Sequence, residues 1–120
     1  MRLPYPIIFC MALFALSPGD VYAHASLYRA VPSEGQVVTP APTSIKLVFD
    51  EPLEASFSSV RVVDQSGSQV DNGKPEVRSD DPKTLEVGLL PLVPGAYKVI
   101  WKIVARDGHK TRGSYSFTVK

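Results

Sequence analysis

From Ser44 onward the chain repeatedly alternates apolar and polar positions with a period of two. "SIKLVFD" (44–50) sets Ile45, Leu47 and Phe49 on one side, the spacing of a half-buried β-strand. "FSSVRVVD" (57–64) follows, closed by a turn at "QSGS", and "TLEVGLL" (84–90) lies behind the polar turn "SDDPK". "AYKVIWKIVA" (96–105) is the longest run, with Tyr97, Val99, Trp101 and Ile103 on one face. Ile100 and Val104 stand among lysines on the other, which predicts a central strand partly covered on both sides. "GSYSFTV" (113–119) alternates cleanly, with Tyr115, Phe117 and Val119 inward. Pro94-Gly95 and Asp107-Gly108 supply turns before and after the long strand. No helical periodicity and no internal repeat interrupts this order, which predicts an all-β sandwich or barrel. Tyr28, Phe49, Phe57, Tyr97, Trp101, Tyr115 and Phe117 are all expected to pack, with Trp101 at the centre of the core.

The first residues break the pattern. Arg2 precedes an uncharged run from Ile7 to Leu16, too short for a bilayer, which needs about 20 apolar residues. Pro18 and Gly19 then break any helix, and "VYA" ends in a small residue. Such an order predicts a secretory signal peptide over residues 1–23, cut after Ala23, and a single exported domain over residues 24–120. Losing Arg2 and Asp20 together leaves the formal charge at +1, so no overall basic field draws nucleic acid or an anionic membrane. After the cut no membrane-inserting segment remains. Cys10, Met1 and Met11 all leave with the leader, so the exported domain has neither a disulfide nor a sulfur ligand.

Cleavage would also change His24, one of two histidines in the chain. It would gain a free α-amine, and amine and imidazole together can chelate one metal ion. The amine's reference pKa of about 7.7–8.0 makes its proton easy to displace near neutrality. The second histidine, His109, stands in "RDGHKTRG" with Asp107 two residues earlier. Two imidazoles, an amine and a carboxylate suit copper(II), which heads the divalent affinity order and favours tetragonal nitrogen and oxygen sites. Zinc also accepts such donors. Copper(I) prefers sulfur, which residues 24–120 lack. Glu51 in "FDEPL" is a weaker candidate, since an acid at a strand end is ordinarily just solvated. No nucleophile elbow and no phosphate-cradling glycine loop is present.

"HASLYRAVPSEGQVV", "LVFDEPLEASFSSVRVVD" and "PGAYKVIWKIVARDGHKTRGSYSFTV" resemble the CopC copper-resistance family, with the similar YobA group within it. The resemblance implies a periplasmic Greek-key β-barrel or immunoglobulin-like sandwich that binds copper(II), and the leading expectation is a binding protein that is not an enzyme. It implies His24, Asp107 and His109 as equatorial ligands, with Glu51 an outer or alternative one, and a CopD-type inner-membrane protein as partner. Some members of the family carry a methionine-rich loop for copper(I). The absence of methionine from residues 24–120 predicts a single copper(II) site used for sequestration, transfer or resistance. Two other readings differ in kind. A terminal histidine beside a second imidazole also resembles the histidine brace of oxidative copper enzymes, and a metal-free interaction module would need no ligands at all.

Overall fold

The computed structural model describes residues 26–120, which form two packed four-stranded sheets. The strands are β1 (Leu27–Val31), β2 (Val37–Val38), β3 (Ser44–Phe49), β4 (Ser59–Val63), β5 (Glu76–Val77), β6 (Thr84–Gly88), β7 (Gly95–Val104) and β8 (Lys110–Val119). A one-turn 3-10 helix, Ala55–Phe57, is the only helical element among the described residues. The first sheet has the order β1-β3-β6-β5 and the second β2-β8-β7-β4. All pairings are antiparallel except β2 with β8. The all-β sandwich read from the sequence is the fold observed.

The period-two faces turn inward as expected. Ile45, Leu47 and Phe49 of β3 meet Val99, Ile103, Tyr115 and Phe117 of the opposite sheet in one buried cluster. Burying a side chain of this kind stabilises the fold by roughly 1.5–3 kcal/mol each, which is how the domain holds without sulfur bridges. β7 is central, lying between β8 and β4. No second layer covers its outer face among the described residues, however. Lys98 and Lys102 are exposed there, and Ile100 and Val104 are only half-buried.

Three further expectations change. Trp101 is half-buried at the flank of the core, its ring edge-on to Phe49 at 6.0 Å between centroids. The fully buried centre belongs to Phe49, Phe117 and the aliphatic residues around them. Tyr28 and Phe57 stay outside the core, being 80% and 70% exposed. Their strand-like surroundings gave no sign that β1 is an edge strand or that Phe57 lies in a 3-10 turn.

Candidate metal centre

The site is built where the β7–β8 hairpin turns. Asp107 and Gly108 end the run of β7, and Gly108 takes φ +92°, a left-handed conformation that suits glycine. The turn is closed by the Gly108 N–H donating to Ala105 O at 2.9 Å and the Ala105 N–H donating to His109 O at 2.8 Å. Asp107 Oδ1 accepts the backbone N–H of His109 at 3.0 Å, an Asx-type contact between residues two apart. Asp107 Oδ2 meets Nδ1 of the same histidine at 2.8 Å. The pair is exposed, His109 by 50% and Asp107 by 42% of its side chain.

The "FDEPL" segment is laced to this turn. It leaves β3 at one end of the sandwich and crosses to the other sheet. The Asp50 N–H donates to Ser26 O at 3.2 Å, and the Leu53 N–H to Pro82 O at 2.8 Å. On the far side the Arg106 N–H donates to Pro52 O at 3.0 Å and the Glu54 N–H to Val104 O at 2.8 Å. Leu53 and Ala105, bridged to one another, are buried beneath the crossing. Burial of Leu53 and Ala105 pins the loop, and Glu51 comes within electrostatic reach of Asp107 and His109.

Electrostatics report the closeness of the three groups. Hydrogen bonds from the backbone N–H and then the ring of His109 hold the Asp107 carboxyl down at about 2. The Glu51 carboxyl moves the other way, above its ordinary value, chiefly because it shares a hydrogen bond with Asp107 and also loses some hydration. Two neighbouring carboxyls with one strongly acidic member form an anionic spot beside an imidazole.

Of the four candidate ligands, Asp107, His109 and Glu51 are thus brought together at one end of the sandwich. His24 lies outside the described residues. Among the described residues no three His, Cys, Asp or Glu side chains form a group able to hold a metal ion by themselves. The neighbour that sequence reasoning missed is Ser26. Its carbonyl bonds Asp50 next to Glu51, which ties the start of β1 to the same end of the molecule. Only the pairing of β1 with β3, from Leu27 opposite Phe49, reveals that.

A two-sheet sandwich with an Asp-x-His hairpin turn strapped by an acidic loop defines a class of domain, and the chain belongs to the CopC family. The family's CopC domain model matches residues 27–120. The chain is 39% identical to Protein YobA of Escherichia coli K12 over 102 residues, which is 84% of this chain and 82% of that one. Among solved structures it superposes on CopC from Methylosinus trichosporium OB3b with a TM-score of 0.76 at 32% identity, covering 81% of this chain and 94% of the other. PcoC, a methionine-rich copper resistance protein from Escherichia coli, matches with a TM-score of 0.70 at 35% identity, covering 81% and 99%.

Proposed function

We propose that this chain is a periplasmic, non-enzymatic copper(II)-binding protein that sequesters copper or passes it on. Its single site joins Asp107 and His109 to the amine and imidazole of an N-terminal His24 exposed by cleavage after Ala23. Membership of the CopC family supports a copper-related role, and a relative of the same fold carries copper resistance in its name.

The observation that carries the reading is the 2.8 Å between Asp107 Oδ2 and His109 Nδ1. Two donors each about 2.0 Å from a metal and at right angles to one another stand about 2.8 Å apart. Asp107 Oδ2 and His109 Nδ1 therefore already stand at the spacing that two neighbouring donors to one copper ion would have. A chain spans at most about 3.3–3.6 Å per residue, and residue 24 is only two positions before Ser26, whose carbonyl is tied to Asp50. Glu51, whose carboxyl is raised by the neighbouring Asp107, serves as an outer or alternative anionic ligand. Three nitrogens and a hard carboxylate favour the cupric state, and residues 24–120 contain no methionine or cysteine to recruit copper(I). The methionine-rich PcoC differs in this respect. An anionic donor in the metal's plane leaves no easy in-plane position for a substrate, which suits holding copper over oxidative turnover. A CopD-type inner-membrane protein is the proposed recipient.

The test compares protein beginning at His24 with protein carrying one extra residue before it. Removing the α-amine from the chelate weakens copper(II) binding by about a hundredfold or more, beyond the cost of losing an outer-shell contact, and changes the EPR spectrum. Equal affinity of the two forms would refute the site.

A further inference from the structure

The outer face of β4, β7 and β8 in the second sheet carries five cations and no carboxylate. Alternation sends Arg61 of β4, Lys98 and Lys102 of β7, and Lys110 and Arg112 of β8 to that side, all exposed. Every other outward position of these three strands is uncharged. Lys102 lies directly opposite Arg112 in the strand register, an arrangement of like charges that costs stability. Among the described residues the ion pairs involve Arg78 with Asp80 and Glu86, and His109 with Asp107, so none of the five cations is neutralised by one. The first sheet is arranged differently, with Lys46 facing Glu86 across β3 and β6. A net charge of +1 therefore hides a one-sided field, which the sequence total did not foretell.

A groove of about 770 Å3 opens at one end of this face. Phe57 and Val104 give it apolar walls, Lys102, Lys110 and Arg112 line it with charge, and the strand segments at Ile103 and Thr111 form its floor. Phe57, 70% exposed, stands beside it as an unburied aromatic ring. A solvated face alone would need neither the groove nor the ring. A bilayer surface would meet the charges but offers no protruding side chain for a concave site, whereas a polypeptide offers both.

We infer that this face docks an acidic segment of a partner protein, with an apolar side chain of that segment seated against Phe57 in the groove. The carboxylates of the segment pair with Lys102, Lys110 and Arg112 and relieve the like-charge contact across β7 and β8. Lys110 follows His109 directly, so a segment docked there lies beside the hairpin turn. The docking goes beyond the copper reading and does not require it.

The experiment titrates the purified, copper-free, nitrogen-labelled protein with a synthetic peptide alternating glutamate and leucine, and follows backbone amide shifts. A glutamate–serine peptide and vesicles of phosphatidylglycerol and phosphatidylcholine are run beside it. The leucine peptide is expected to shift the amides of Phe57, Lys102 to Val104 and Lys110 to Arg112, with affinity that falls as salt rises. The double variant Lys102→Gln with Arg112→Gln is expected to weaken it roughly tenfold. Phe57→Ser is expected to erase the preference for leucine over serine while leaving the rest of the spectrum unchanged. Shifts confined to other surfaces, or an unchanged Kd in the double variant, overturn the inference. So does binding to the anionic vesicles without binding to the peptide, which would assign the face to lipid.

Discussion

The indole of Trp101 lies across Gly113, its partner in the β7–β8 register, so closely that a Cβ on Gly113 would stand 1.6 Å from the ring. Glycine is required here by space. The ring that fills the gap also meets Phe49 of the opposite sheet, so the hairpin carrying Asp107 and His109 is keyed to the core through one aromatic contact.

Gly113→Ala should therefore destabilise the fold by about 1–3 kcal/mol, the usual cost of overpacking. Urea unfolding followed by circular dichroism measures it. Combined with Trp101→Leu, the same substitution should cost less than the sum of the two alone, because the clash has gone. Strict additivity would show that the ring and the glycine act independently.

Asp107→Asn keeps an acceptor for the His109 N–H and removes the negative charge from the proposed donor pair. Copper(II) affinity should fall about 10–100-fold, against less than about tenfold for Glu51→Gln, whose carboxyl stands behind Asp107. Competition titration against a chromophoric chelator ranks the two. The reverse order would make Glu51 the ligand and Asp107 the support.

Copper release on acidification should follow nitrogen protonation. The Asp107 carboxyl is held at about 2, so it stays ionised throughout mild acid and cannot be the group that lets the metal go. The nitrogen donors of the proposed site must lose their protons to hold the metal, so acid competes with copper for them. Apparent affinity should drop steadily from mildly alkaline buffer to about pH 5. Constant affinity over that span would point to oxygen donors alone.

Tyr115 gives a second pH effect, remote from the metal. Its hydroxyl donates to Pro32 O at 2.8 Å from a buried position, and burial drives the phenol well above its ordinary value. A raised folded value means the fold prefers the protonated form. The resulting stability is full below the unfolded value of about 10 and fades as pH climbs beyond it. Tyr115→Phe should cost about 1–2 kcal/mol at neutral pH through the lost hydrogen bond, and that deficit should shrink in strong alkali. Denaturant midpoints at neutral and alkaline pH check both statements.

The strands with full alternation were legible in the sequence because one face of each is buried. β3, β6, β7 and β8 all obey that rule. β1 was not, because its register shifts between Leu27 and Arg29 and its apolar residues never share one buried face. β2 and β5 are two residues each, too short to show any period. The Asp-x-His pair was readable because its donors are local and a turn of this kind brings them together. The junction of Ser26, Asp50 and Pro52 with Arg106 was not, since it depends on which strands become neighbours. Phe57 misled because an aromatic residue near a β-branched run ordinarily points inward, and here the chain makes a 3-10 turn first. Trp101 stands nearer the margin than the sequence predicts because its large ring fills the gap beside Gly113.

The alignment of Arg61, Lys98, Lys102, Lys110 and Arg112 has a practical corollary at the bench. A cation-exchange resin samples one side of a molecule at a time, so retention follows the most favourable orientation and not the sum of charges. This chain should bind such a column near neutral pH like a distinctly basic protein, although its formal charge is only +1.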